Sequence, residues 1–245
     1  MDENVGRGTP LHDAVLGPVL LRRGLDDAVQ VIRIYSPEPT AAFSRRDSRR
    51  PGFPAAVEAA KAAGFTPVLR GPGGRLAAYH RGSVVIDHVL RLPHSQAGLE
   101  ERFEFFSELH AVVLAGFGVD ARVGELDGEY CPGQYSVNAA GVGKIVGSAQ
   151  RITRDGWLFS SVIQVTGSAA LRDVLTVTHR ALGYELDAST ISAVEDFVPG
   201  TTTEVIAETF RHAYAKDAGD VLGELPTDIV QEVQEAAALL EAQLP

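Results

Sequence analysis

Residues 129–151 read EYCPGQYSVNAAGVGKIVGSAQR and hold the chain's only cysteine, Cys131, with one of its three lysines, Lys144, thirteen positions later. Pro132-Gly133 sets a turn directly after Cys131, and GVG at 141–143 suits a hairpin because glycine accepts positive φ. GQYSVNAA, GKIVGSAQRIT and GWLFSSVIQVT read as consecutive strands, preceded by a short one at DARVG. A lone cysteine is ordinarily a small buried hydrophobe. Cys131 instead stands at a strand entrance between Glu129 and Gln134, where a thiol can meet solvent and substrate. For Lys144 two readings stand: an exposed lysine beside a turn, or a compact point charge in a chain whose basic residues are otherwise arginines. Gly147-Ser148 marks a place where a backbone or ligand approaches closely.

Working outward, TPLHDAVLGPVLLRRG reads as a helix capped by Thr9 ahead of Pro10 and weakened by Gly17-Pro18. AVQVIRIYS is a strand with which TAAFSRR could pair; FPAAVEAAKAAG is an alanine-rich helix stopped by Gly64, feeding the strand FTPVLR. SVVIDHVLRL at 83–92 is an apolar strand. LEERFEFFSELHAVVLAGFG is the clearest helix, with Leu99, Phe103, Phe106, Leu109 and Val113 on one face and Glu100, Glu101, Glu104 and Glu108 solvated. After residue 168 three helical patterns follow, the second with a capping box at Thr201 and Glu204. This order, without regular βαβ alternation, predicts an α+β fold of mixed or antiparallel sheets flanked by helices. Without a linker, residues 1–245 read as one domain whose part from 168 to 245 is helical.

The composition excludes several classes. A net charge of −10 and a pI near 5.2 argue against a nucleic-acid binder. SRRDSRR at 44–50 reads as a solvated arginine-rich loop or as a contact for an acidic partner or phosphate. No apolar run approaches the ~20 residues of a membrane span, and the acidic N-terminus does not read as a signal peptide. One cysteine cannot form an internal disulfide, so a reducing, cytoplasmic setting is expected. LRGPGGRLAAYH at 69–80 is either an ordinary tight turn or a loop whose amides meet phosphate or carboxylate oxygens, and it lacks Walker or dinucleotide spacing.

Taken together these stretches resemble the lipoate-protein ligase and octanoyltransferase family, whose catalytic fold is shared with biotin-protein ligases. The family's loop, Arg-Arg-x-x-Gly-Gly-Gly and often Tyr-His, is matched by Arg70, Gly73, Gly74, Tyr79 and His80, with departures at Leu69 and Arg75. Its lysine strand is matched by GKIVGSAQR, which adds Gly147, Ser148 and Ala149 to the substrate-binding set implied. YCPG just upstream resembles the cysteine-dependent lipoyl amidotransferase branch, which moves octanoyl or lipoyl groups from the glycine-cleavage H protein to lipoyl domains of 2-oxoacid dehydrogenases.

The resemblance implies Cys131 as nucleophile forming a thioester acyl-enzyme and Lys144 at the carbonyl oxygen, with no cofactor and no metal. Acyl carrier protein is a further possible donor. An ATP- and Mg-dependent ligase, with Arg75 crowding its loop, and a non-catalytic lipoyl-domain or acyl binder are the alternatives. The acyl slot is expected to be narrow and apolar. Trp157 and Phe159 read as core or as its lining, and Arg45, Arg46, Arg49 and Arg50 as the docking patch for an acidic lipoyl domain.

Overall fold

The computed structural model describes residues 8–25, 30–92, 97–215 and 225–245; Lys216 and the acidic start of the chain lie outside them. Among the described residues six α-helices and nine strands follow one another as α1 (Pro10–Arg23), β1 (Gln30–Tyr35), β2 (Thr40–Phe43), α2 (Phe53–Ala62), β3 (Thr66–Leu69), β4 (Ala77–Tyr79), β5 (Ser83–Leu90), α3 (Leu99–Ala115), β6 (Ala121–Val123), β7 (Val137–Ala139), β8 (Gly143–Thr153), β9 (Gly156–Gln164), α4 (Ser168–Leu182), α5 (Thr203–Ala215) and α6 (Thr227–Glu241). Six strands form one antiparallel sheet in the order β1-β5-β9-β8-β7-β6. A second sheet, β3-β2-β4, pairs β2 parallel to β3 and antiparallel to β4. The α+β expectation therefore holds. The proposed pairing of TAAF with the first strand does not: the two belong to different sheets.

Strand alternation decides which side chains meet which layer. Trp157, Phe159 and Ile163 turn to the face covered by α3 and α5, where they join Phe106, Leu114, Ile206 and Phe210 in the largest core cluster. They are core. The opposite face carries Val85, Leu158 and Val162 towards α1 and the small sheet. Helix α1 runs unbroken through Gly17-Pro18, against the expected weakening. Its buried Val15, Leu16, Val19, Leu20 and Leu21 pack on Leu158, Ile229 and Val233, and tertiary burial of that kind outweighs a lost backbone bond. Gly17 allows a close approach there, since a Cβ would stand 3.0 Å from Leu158 Cδ2 and the leucine would have to shift by a few tenths of an ångström.

Helix α3 buries Phe106, Ser107, His110 and Leu114, while Leu99 is 45% exposed. The face is thus rotated from the one read off the apolar residues, because His110 is drawn inwards by its bond to the Tyr214 hydroxyl of α5, 3.0 Å away. The cap of α5 also shifts by one residue: Thr202, not Thr201, accepts from Val205 N at 3.4 Å, and Thr201 bonds the Val198 carbonyl. The C-terminal helices disperse to three places, α4 against α2 and the small sheet, α5 under the large sheet and α6 along α1.

Burial pushes the imidazole of His110 down to about 3 and that of His179 down to about 4. Both stay neutral when folded, whereas in the unfolded chain they take up a proton near ~6.5. Their joint contribution to stability is complete above that pH and falls as pH drops towards 4, by about 1.4 kcal/mol per pH unit per histidine. In an NMR titration their C2 protons should keep the neutral shift at pH 5.

Candidate active site

Cys131 lies in the 124–136 connection between β6 and β7, and its backbone is held at φ +45°. Such a conformation costs an ordinary L-residue roughly 1–2 kcal/mol and persists only where surrounding contacts impose it. The contacts come from both sides. Lys144, near the start of β8, is 1% exposed; its Nζ donates to Glu129 Oε1 at 2.8 Å, to the Tyr130 carbonyl at 3.0 Å and to the Cys131 carbonyl at 2.9 Å. Glu129, itself buried, also accepts from Leu126 N at 3.0 Å, Gly133 N at 3.2 Å and Ser136 Oγ at 2.6 Å. One buried ion pair thus ties the start, middle and end of the loop to the sheet.

On its other side, Cys131 Sγ receives the backbone N–H of Arg75 at 3.1 Å and stands 3.8 Å from Arg70 Nη2. Arg70 is oriented by the Arg75 carbonyl, 2.6 Å from the same Nη2. Arg70 was named from sequence as a substrate-binding residue, but that it and Arg75 N meet the thiol was not, nor was the role of Glu129, which reads there as a polar neighbour and proves to be buried. An acidic residue two positions before a cysteine carries no signal of a partner fifteen residues away.

The thiol opens on a cavity of about 490 Å³. Arg70, Gly73, Gly74, Tyr79, Lys144, Gly147, Ser148 and Ala149 all border it, so the structure gathers both stretches of the sequence analysis around Cys131. His80 does not. Its ring accepts from Gly82 N at 2.8 Å and faces the Gly167 carbonyl at 3.2 Å, pulled away by the turn that leads into β5. Arg75 does not intrude either: its guanidinium lies over the Tyr184 ring, 4.8 Å from the centroid. The apolar slot is only part of what is found, since Asp13, Asp87, Tyr35 and Ser160 also line the cavity. A carboxylate inside the apolar run SVVIDHVL was the available signal.

Gly74 has φ +102°, and a Cβ there would stand 2.8 Å from both Cys131 Sγ and Arg70 Nη2, whereas one on Gly73 meets nothing within 4 Å. Gly74→Ala is therefore expected to displace the thiol from Arg75 N and Arg70, and Gly73→Ala to leave it in place; the rates of Cys131 alkylation by iodoacetamide in the two variants, against the unmodified protein, check this.

A second cleft, of about 280 Å³, adjoins the first and is bordered by Arg45, Arg46, Arg70 and Gly71–Gly74. Arg50 is committed elsewhere, with its guanidinium 4.2 Å from the centroid of the Tyr184 ring and bonded to the Gly183 carbonyl. It drops out of the expected docking patch. Among the described residues there is no cluster of metal-ligating side chains, and no helix is long and apolar enough to cross a membrane.

The sequence profile of the lipoyl protein ligase A/B catalytic domain matches residues 19–214. An octanoyl-GcvH:protein N-octanoyltransferase of Geobacillus kaustophilus is 30% identical over 176 residues, 72% of this chain and 61% of that protein's length. The Staphylococcus aureus protein of the same name is 26% identical over 221 residues, 85% of this chain and 78% of its own. The chain therefore spans about three fifths of the Geobacillus relative. A chain from the structure of the bipartite lipoate protein ligase and E2 lipoyl domain of Thermoplasma acidophilum superposes with a TM-score of 0.71 at 15% identity, covering 96% of this chain and 92% of that one; this likeness concerns the fold.

Proposed function

Because the chain belongs to the lipoyl protein ligase A/B catalytic-domain family, we propose that it is an acyltransferase of protein lipoylation that carries an octanoyl or lipoyl group on Cys131 as a thioester. The observation that carries this reading is the Cys131 thiol itself, open to the cavity and held 3.1 Å from a backbone N–H. The names of the Geobacillus and Staphylococcus relatives support octanoyl transfer involving a GcvH protein.

In the proposed reaction the Cys131 thiolate attacks the donor carbonyl. The tetrahedral intermediate collapses to the thioester, and the donor leaves as an amine, or as a thiol, that takes up a proton. A lysine amine of the acceptor lipoyl domain then attacks the thioester, loses a proton, and leaves as an amide while the thiolate is restored. The Arg75 N–H and the Arg70 guanidinium hold the sulfur in position. Lys144 supports the turn and meets the oxyanion by exchanging one of its loop carbonyls for the reacting oxygen. Arg70, Gly73, Gly74, Tyr79, Gly147, Ser148 and Ala149 border the acyl group, each buried chain methylene contributing about 0.8 kcal/mol.

Lipoyl-domain proteins are the partners in this reading: the glycine-cleavage H protein and the acyltransferase subunits of 2-oxoacid dehydrogenases, with acyl carrier protein as a further donor. Exposed Arg45, Arg46 and Arg49 supply the local positive charge for docking. The cycle consumes no ATP, and it suits a reducing cytoplasm in which Cys131 remains a thiol. Residues 1–245 act as one catalytic domain, an assignment supported by α6 packing on α1.

The test is intact mass after incubation with octanoyl acyl carrier protein or octanoyl H protein without ATP. An added octanoyl group removable by hydroxylamine supports the reading. An adduct that requires octanoate, ATP and Mg favours the ligase, for which the outward course of Arg75 leaves the loop open.

A further inference from the structure

The cavity beside Cys131 does not end in hydrocarbon. Under α1 it is bordered by Asp87 of β5, Ser160 of β9, Tyr35 of β1 and Tyr79 of β4. Asp87 is 7% exposed and paired in register with Ser160, whose hydroxyl donates to Asp87 Oδ1 at 2.6 Å. Its Oδ2 has Arg33 Nη1 at 4.0 Å, beyond hydrogen-bond length, and Arg33 is ion-paired with Asp13. Tyr35 and Tyr79 are each 9% exposed, and neither hydroxyl has a hydrogen-bond partner among the described residues.

Burial raises the pKa of both phenols and of Asp87, so the tyrosines remain donors throughout the working pH range. Gln164, which bonds Tyr130 beside the thiol, marks the reacting end of the same strand. Ser160 lies four residues further along β9, about 13 Å at the usual rise of an extended strand. That separation is on the scale of a medium-length acyl chain.

Buried polar groups are nearly always satisfied, and a group left without a partner is costly. A bare octanoyl chain reaching this end would displace water with a methyl group and leave two phenolic O–H groups unmatched beside Asp87, whose Oδ2 would keep only its 4.0 Å pairing with Arg33. A hydroxyl offers one donor and two acceptor lone pairs, the complement of two donating tyrosines and one accepting carboxyl oxygen. A dithiolane has no donor and only weak acceptors.

We propose that the α1 end of the cavity is a hydroxyl-recognition subsite, and that the protein selects acyl chains bearing a hydroxyl near the distal end over unsubstituted octanoyl. This deepens the transferase reading and rests on it for the identity of the occupant. Sites built to hydrogen-bond a substrate hydroxyl discriminate strongly against the analogue lacking it.

The experiment has two readouts. Calorimetry on the full-length Cys131→Ala protein compares octanoate with 8-hydroxyoctanoate, and acylation of the unmodified protein compares octanoyl, 8-hydroxyoctanoyl and lipoyl acyl carrier protein. The hydroxy acid should bind at least about tenfold more tightly. Tyr35→Phe, Tyr79→Phe and Ser160→Ala, each checked for an unchanged unfolding midpoint, should each reduce that ratio, and in Tyr35→Phe and Ser160→Ala octanoate binding should hold or improve. A ratio near one, a preference for lipoyl over both other chains, or a ratio unmoved in all three variants overturns the subsite. Octanoyl transfer without hydroxyl preference sinks this inference alone. Hydroxyl-selective binding with no acyl-enzyme from any donor keeps the subsite and sinks the transferase reading.

Discussion

On the proposed thioester route, Cys131→Ser is expected to lower acyl transfer by at least about a thousandfold, the scale of losing a covalent nucleophile, while the unfolding midpoint stays where it was. Serine preserves the shape of the side chain and can accept from Arg75 N, so the strained turn at φ +45° keeps its supports from Lys144 and Glu129. What changes is the proposed nucleophile. A thiol supplies a measurable thiolate fraction near neutral pH, whereas a hydroxyl needs a strong adjacent base, and among the described residues no histidine or free carboxylate bonds to this position. The check is the rate of octanoyl transfer to a lipoyl-domain lysine, with the hydroxylamine-labile adduct followed by mass. Transfer at the wild-type rate would show that no thioester forms on Cys131 during turnover.

The second large effect concerns Lys144. Its side chain and that of Glu129 are 1% and 0% exposed, so Lys144→Ala leaves a carboxylate buried without its cation and two loop carbonyls without their donor. Removing one partner of a buried pair costs about 3–5 kcal/mol, and chemical denaturation should show a loss of that size. On the proposed route, transfer should fall by at least about a hundredfold, since the same ammonium holds the loop of the proposed nucleophile and is the proposed partner of the oxyanion.

Stability and chemistry can be separated by replacing both members. Lys144→Met with Glu129→Gln removes the stranded charge and should recover most of the lost stability, because neutral pairs of similar volume are tolerated in such positions. Activity should not return with it. If the double variant regains both, Lys144 is a positioning residue and the oxyanion rests on Arg70 and the Arg75 amide alone. If Lys144→Ala leaves the denaturation curve unchanged, the buried pair is not a support of the loop.

Much of this was legible in the sequence, because it depends on local chemistry. The strand-forming runs GKIVGSAQRIT and GWLFSSVIQVT, the helical spacing of α4 and the glycines that permit positive φ are properties of short windows, and the corresponding strands and helix stand where those windows put them. The single cysteine, the lysine strand and the Arg70–Gly74 loop likewise identified the family and the residues that border the cavity.

The partners of those residues were not legible. That Lys144 is spent on Glu129 and two carbonyls, that Sγ meets Arg75 N across 56 positions, and that His80 turns towards Gly167 are all products of contacts between distant segments. So are the split of β1 and β2 into two sheets and the dispersal of the last helices to three surfaces. By itself the sequence determined which chemical groups were available and which local conformations they favour. Only the tertiary structure decided which group faces which, because hydrogen bonds and burial act over a few ångströms in space whatever the separation along the chain.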